Sequence, residues 1–255
     1  MTEKKTNKQQ KANVPNLRFP GFNGKWTTNR LGNIVDFKVT NSFSRENLNY
    51  QAGKVKNIHY GDIHTKFKTL FDITDEVTPY VNAEISITRI SEDNYCQEGD
   101  IVFADASEDL NDVGKSIEII NLNGEKVLSG LHTLLARPTD DVFYKGFLGY
   151  LLKSSNVRTQ IQKESQGSKV LSISAGRLSN IELYYCAKKE QQKIATFLSL
   201  LDHRITTQNK IIEELKTFNK SIVDKLFNYK FNGNPDAYWS HLTYGDIFEV
   251  CTKKM

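Results

Sequence analysis

The sequence predicts an α+β chain, with one globular domain followed by a long coiled-coil helix. Three observations carry that expectation. Lys188 to Asn228 runs for about 41 residues without Pro or Gly, and its apolar positions recur in alternating steps of four and three. Lys38 to about Arg137 is instead a series of short strand-like runs broken by turn residues. Between these regions, from Val142 to Glu164, the apolar period changes to that of a helix.

Taken in order, residues 1–14 are polar and basic, with Lys4, Lys5, Lys8 and Lys11, and are expected to form a disordered tail. The globular domain is expected over residues 15–186. Leu17 to Phe22 is a turn-rich apolar entry, and Trp26 leads into Leu31–Phe37. Period-two alternation predicts strands at Lys54–Tyr60 and Glu84–Ile90. Ile101–Ala104 follows the turn pair Gly99-Asp100 and reads as another strand. Ser116–Ile120 and Lys126–Leu128 are separated by Asn121-Leu122-Asn123-Gly124, which predicts a hairpin. His132–Arg137 is a strand ended by Pro138. Val142–Ser154 and Ser155–Glu164 read as two helices, the first weakened by Gly146 and Gly149. After Gly167-Ser168, Lys169–Ile173 and Ile181–Tyr185 are the last expected strands.

The long helix is expected over residues 187–230, with a seam of Ile194, Leu198, Leu201, Ile205, Gln208, Ile212, Leu215, Asn219, Ile222 and Leu226. A stripe repeating every seven residues must face another helix, because a lone helix would leave it in water. At 1.5 Å per residue the helix would be roughly 60 Å long, against about 11 residues for the average globular helix. Gln208 and Asn219 cost stability in such a seam but select register and partner. The other faces carry Lys193, Arg204, Lys210, Glu213, Glu214, Lys216, Lys220, Asp224 and Lys225, which leaves one stripe for pairing. No Gly/Ser linker precedes the helix, so a rigid junction is expected.

A chain of 255 residues with 38% hydrophobic composition supports a real core and is not a disordered tail. No apolar run approaches the length of a membrane span, and no apolar segment follows the basic N-terminus as a secretory signal requires. Cys96, Cys186 and Cys251 are odd in number and far apart, which fits a reducing cytoplasm and no metal pattern. A net charge of +4 suits nucleic acid only if the basic residues cluster.

Catalytic machinery is not evident. There is no Gly-rich phosphate loop. His59, His64, His132, His203 and His241 are scattered without metal spacing, so no catalytic residue and no metal ligand is assigned. Glu108, Asp109, Asn111 and Asp112 imitate a nuclease metal site but sit in a turn-rich segment, and a surface loop explains them better.

The chain also matches itself. Trp26 to Thr40 and Trp239 to Lys253 align without gaps, sharing Trp26/Trp239, Gly32/Gly245 and Ile34/Ile247. This reads as a domain-plus-helix unit starting again. Residues 231–255 are therefore expected to be a truncated start of a second repeat, disordered or held by a partner.

Arg18-Phe19-Pro20-Gly21-Phe22 with Trp26, and Glu190-Gln191-Gln192-Lys193-Ile194-Ala195 opening the helix, resemble elements of the specificity subunits (HsdS) of type I restriction–modification systems. Tyr60-Gly61-Asp62-Ile63 and Gly99-Asp100-Ile101-Val102 look like looser motifs of that family. The chain departs from the family pattern at Tyr185 to Lys189, where prolines are usual, and in having one recognition domain plus a stub. The resemblance implies a non-catalytic reader of double-stranded DNA, half-length, with one target recognition domain that reads one half of a bipartite target. It implies that the helix is a spacer docking methyltransferase subunits, and through them restriction subunits. S-adenosylmethionine would then be bound by the methyltransferase partner, with no cofactor on this chain. Missing adenine-methyltransferase motifs agree with that division. With one copy of the helix, a homodimer through antiparallel helices is expected.

DNA reading needs cations for phosphates and hydrogen-bonding groups for base edges. Lys54, Lys56, Asn57, His59, Tyr60, His64, Lys66 and Lys68 form a basic stretch interleaved with aromatics, and Arg89, Lys115, Arg137, Lys169 and Arg177 add candidates. Ser165 to Lys169 is a second candidate loop, able to approach a phosphate closely. Two other classes stay open: a coiled-coil scaffold that binds no DNA, and a stand-alone endonuclease.

Overall fold

The computed structural model describes residues 15–227. The tail of 1–14, the helix end at 228–230 and the partial repeat of 231–255 lie outside the described residues.

The chain runs through β1 (Thr27–Arg30), β2 (Val35–Lys38), β3 (Leu48–Asn49), β4 (Lys56–Ile58) and α1 (Tyr60–Thr65). It continues through β5 (Leu70–Asp72), β6 (Tyr80–Val81), β7 (Ile101–Ala104), β8 (Ala106–Ser107), β9 (Ser116–Asn121), β10 (Val127–Ser129) and β11 (Thr133–Pro138). The remainder is α2 (Phe147–Leu152), α3 (Ser155–Glu164), β12 (Leu171–Ser172), α4 (Ala175–Leu178), β13 (Glu182–Tyr185) and α5 (Lys188–Phe227).

A five-stranded sheet of order β2-β11-β7-β9-β5 is central, antiparallel except for the parallel β5/β9 edge. A four-stranded sheet of order β10-β4-β6-β3 lies beside it, and β1/β13 and β12/β8 are separate antiparallel pairs. Both faces of the central sheet are covered. Along β7, Ile101 and Phe103 enter one core with Leu148, Leu152, Val157 and Ile161 of the helices, while Val102 and Ala104 enter a second with Ile58, Ile63 and Phe71. A strand covered on both faces reads as a continuous apolar run, which is why Ile101–Ala104 is legible without alternation. Each such fully buried side chain is worth about 1.5–3 kcal/mol.

Several expected elements are corrected. The alternation at Lys54–Tyr60 yields only Lys56–Ile58, because His59 caps α1 by accepting the Gly61 N–H at 3.1 Å and turns Tyr60 into a helix. Glu84–Ile90 is not a strand; local turn bonds from Ile85 to Asn82 and Ile90 to Ile87 replace any ladder. The Asn121–Gly124 turn forms, with positive φ at Asn123 and Gly124, yet no hairpin results. It hands the chain from β9 in one sheet to β10 in the other, where β10 pairs parallel with β4. The expected helix from Val142 starts only at Phe147, and the expected Lys169–Ile173 strand shortens to Leu171–Ser172.

The glycines that weaken α2 by propensity are what let it dock. The buried Glu118 carboxylate accepts the N–H groups of Gly146 at 2.5 Å and Gly149 at 2.6 Å. A Cβ at Gly149 would lie 2.9 Å from Glu118 Cβ. Burial pushes the Glu118 pKa up to about 7, although both N–H donors favour the ionised form.

The chain divides into two compact units after Leu201. The first holds the sheets and the opening turns of α5, where Ala195 is buried and Ile194 packs on the core. Within the second, Ile205, Ile212, Leu215, Ile222 and Leu226 are exposed, from 39% at Ile222 to 60% at Leu215. Ile211, Phe218 and Val223 widen that apolar face beyond the predicted seam.

Candidate nucleic-acid interface

The turn between β10 and β11 holds His132 at a positive backbone φ. Only Gly130, Leu131 and His132 join the two strands, which belong to different sheets. Gly130 N donates to Ile58 O at 2.9 Å, and Thr133 Oγ1 donates to Gly130 O at 2.5 Å. With both ends tied, His132 takes a φ of +54°, a region that non-glycine residues enter seldom and at a cost. Its side chain is half exposed, and Nδ1 lies 3.3 Å from Asp105 Oδ1.

α1 brings its aromatic groups to the same place. The Tyr60 ring has centroid distances of 4.6 Å to His59, 5.3 Å to His132 and 5.9 Å to His64. His64 Nε2 lies 3.0 Å from Ala106 O, and since a carbonyl can only accept, Nε2 carries the proton there. Lys115 Nζ donates to His64 O at 2.7 Å. On the other flank, Asp62 Oδ1 binds Arg45 at 2.7 Å and Lys66 at 3.0 Å, and both cations reach the Tyr50 hydroxyl.

Beyond Ala106, β8 pairs with β12, and Gln166 and Ser172 close a loop that holds Lys169 at its exposed tip. Beside His132 opens a groove of about 590 Å³ lined by Thr40, Ser42, Phe43, Ser86, Ile90 and Asp105, among others. Arg89, which is exposed, directly precedes the lining residue Ile90 in the chain.

Burial and the adjacent Arg45 lower the His59 pKa to about 4, so this imidazole is neutral and serves as a cap. Burial raises the Asp105 pKa, with His132 opposing the shift. Among the described residues, five buried side-chain atoms make no well-aligned hydrogen bond: Trp26 Nε1, Asn57 Nδ2, Asp62 Oδ2, His64 Nδ1 and Asp105 Oδ1, the last facing only His132 Nδ1 at 3.3 Å. Four of the five belong to this one neighbourhood. Unsatisfied buried polar groups are rare and tend to mark functional sites. Imidazole, carboxylate and hydroxyl groups around an aromatic ring match what base edges require, and the Arg45 and Lys66 cations on α1's flank match what phosphates require.

The thirteen candidate contact residues divide by their surroundings. Lys54, Arg89 and Lys169 are exposed, Tyr60 and His64 are half-buried within the cluster, and Lys66 flanks it. Lys56, Lys68 and Arg177 sit in ion pairs with Glu125, Asp75 and Glu164, and Lys115 lies 3.6 Å from Asp112. Asn57 and His59 are buried and supportive: Asn57 Oδ1 accepts from Asn41 Nδ2 at 2.7 Å, and His59 caps α1. Arg137 is a structural latch, forked onto Asp100 and bonded to Asp93 and Tyr95 O. Sequence reasoning missed Arg45, Tyr50, Asp105 and His132 as site residues. A three-residue turn between two strands, Gly130-Leu131-His132, was the available signal for His132. Among the described residues no group of three or more His, Cys, Asp or Glu could hold a metal ion.

A family model described as type I restriction modification DNA specificity domain matches residues 23–217. The chain belongs to this family. Two specificity subunits of type I restriction enzymes from Methanocaldococcus jannaschii are similar to it. MjaX is 33% identical over 132 residues, covering 51% of this chain and 30% of the relative. MjaIX is 31% identical over 126 residues, covering 44% and 29%. The S subunit of a type I restriction–modification system from M. genitalium shares the fold, with a TM-score of 0.54 at 17% identity over 86% of this chain and 49% of that one. A chain from a structure on complex assembly of the type I R-M system does so with a TM-score of 0.53 at 19% identity, over 83% and 48%. The alignments thus span less than a third of the curated relatives and about half of the solved chains.

The predicted seam of this specificity-domain chain divides by position. Ile194 and Leu198 are half-buried, whereas Leu201 and the apolar positions after it are exposed. No helix among the described residues is long and apolar enough to cross a membrane.

Proposed function

We propose that the chain is the DNA-recognition subunit of a type I restriction–modification complex and reads one half of a bipartite target. The observation that carries this reading is the Tyr60, His64, Asp105 and His132 cluster beside the groove, with Arg45 and Lys66 paired to Asp62 of the same helix. In this reading His132 and its neighbours contact base edges, while Arg89, Lys66 and Lys169 contact phosphates. The exposed apolar face of α5 supports pairing of two chains through antiparallel helices and docking of methyltransferase subunits, with restriction subunits joining those. S-adenosylmethionine would be bound by the methyltransferase subunit.

Two copies related by a two-fold axis place identical readers on an inverted repeat with a non-specific gap. The test is co-expression with the methyltransferase subunit of its system and genome-wide mapping of methylated adenines. A palindromic bipartite motif is expected. An unmethylated genome, or an asymmetric motif, refutes the reader or the symmetry respectively.

A further inference from the structure

The two sequence elements that carried the family resemblance, at Arg18 and at Glu190, are in contact. The Arg18 guanidinium forks onto the carboxylate, with Nε to Oε1 and Nη2 to Oε2 both at 2.6 Å. Its Nη1 also donates to Gly24 O at 2.7 Å and Nη2 to Asn23 O at 3.2 Å, so the loop from Arg18 to Gly24 closes on its own arginine. The Glu190 side chain is 1% exposed. Next to it, buried Gln191 accepts the Tyr144 N–H at 2.8 Å and donates to Val142 O at 3.1 Å and Cys186 O at 2.8 Å. About two turns further along α5, the Phe19 ring meets Phe197 edge-on at 5.8 Å.

We propose that this clasp sets the origin of α5, making Arg18 a positioning residue for the distance between the two half-sites. The inference rests on the DNA-reading role proposed above. A forked arginine–carboxylate pair fixes both the distance and the plane of its partners. Glu190 is buried and has no solvent to turn to, so the opening turn of α5 has one low-energy seat. A helical turn is about 5.4 Å and a base pair about 3.4 Å. Slippage of the helix origin by one turn therefore exceeds a base pair of spacing.

The experiment compares the wild-type chain with Arg18→Glu, Glu190→Arg and the double swap, each co-expressed with the methyltransferase subunit, by mapping methylated adenines. The single variants are expected to keep the half-site sequences. Methylation at gaps one base pair longer or shorter should rise on the order of tenfold relative to the native gap, the size of a typical coupling between sites. The double swap should restore the native gap. Single variants that keep a unique native gap, or a swap that restores nothing, overturn the proposal. Should Arg18→Glu fail to fold, Arg18→Lys keeps the charge without the fork. Hydrogen exchange of amides 188–198 then reads the clasp directly and is expected to quicken about tenfold; unchanged exchange overturns it. A wild-type chain that yields no bipartite motif refutes the DNA reader instead, and the exchange measurement still decides the clasp.

Discussion

Gly130→Ala should damage both the fold and DNA recognition, and the structure says by how much. A Cβ at Gly130 would lie 2.3 Å from Asn57 Nδ2 and 2.7 Å from Ile58 O. Neither neighbour yields easily. Asn57 is fully buried and held by Asn41, and Ile58 O is the β4 carbonyl that accepts the Gly130 N–H. Overpacking a tight interior costs about 1–3 kcal/mol, which lowers Tm by roughly 2–12 °C in a domain of this size. The methyl group also pushes the turn that presents His132 away from β4. Losing one good base contact costs about 1–3 kcal/mol, or roughly 5- to 150-fold in Kd. Thermal melting by circular dichroism reads the first effect; titration of a duplex bearing the mapped motif, at fixed salt, reads the second. Gly176→Ala on α4 is the control, since nothing lies within 4 Å of its added Cβ. A Gly130→Ala protein that melts and binds like wild type would show that the close approach is relieved cheaply. One that melts low but binds normally would remove the turn from the reading surface.

Other predictions follow from the same geometry. Leu201→Asp or Ile212→Asp should turn a dimer into a monomer by sedimentation and leave the domain's melting unchanged; a persistent dimer would show that the exposed face of α5 is not the contact. Arg89→Ala and Lys169→Ala should each weaken binding evenly across sequences and reduce the salt slope by about one unit, whereas His132→Ala should relax selectivity at one base position; binding titrations on single-base variants at several salt concentrations separate the two. For pH, the folded His59 titrates near 4, below its unfolded 6.5, so its contribution to stability is complete above pH 6.5 and is lost as pH falls toward 4. Glu118 acts oppositely: its folded value near 7 exceeds 4.5, so its contribution is full below pH 4.5 and is lost as pH rises through 7. Each swing is at most about 3 kcal/mol before solvent screening. In melting scans from pH 4 to 8, Glu118→Gln should flatten the neutral limb and His59→Asn the acid limb; parallel curves would rule out both assignments.

What the sequence makes legible here follows from range. Ile101–Ala104, Ser155–Glu164 and α5 were readable because their own apolar patterns define them. β1, β2, β3, β5, β6 and α4 were not, because each is short and owes its existence to a partner elsewhere: β1 to β13, β2 to β11, β5 to β9. The false hairpin has the same cause. Asn123 and Gly124 encode a tight turn, but which strand receives the chain afterwards is decided by β4, more than 60 residues upstream. At the candidate site, the basic stretch around Lys66 covers α1, which carries Tyr60 and His64 of the cluster. It could not separate exposed Lys54 from buried Asn57, since alternation within Lys54–Tyr60 breaks where α1 begins. Asp105 and His132 were invisible as a pair because topology alone brings them to 3.3 Å.

The same topology explains how such a site can change its reading without losing its fold. The groups proposed to face DNA stand on turns and short ends: His132 between β10 and β11, Arg89 in an irregular segment, Lys169 at a loop tip. Each is exposed, so replacing it removes little buried area and costs little stability. What positions them is buried and polar: Asn57 against Asn41, His59 at the head of α1, and Thr133 Oγ1 on Gly130 O. Those groups lie in low dielectric, where an unsatisfied partner is expensive. The expected pattern of tolerance is therefore sharp. Substitutions at positions 89, 132 and 169 should alter the motif and leave melting near wild type, whereas Asn57→Leu should lower melting first and affect every base position alike. A scan in which loss of stability and change of motif track together across both sets would mean that reader and scaffold are not separable in this domain.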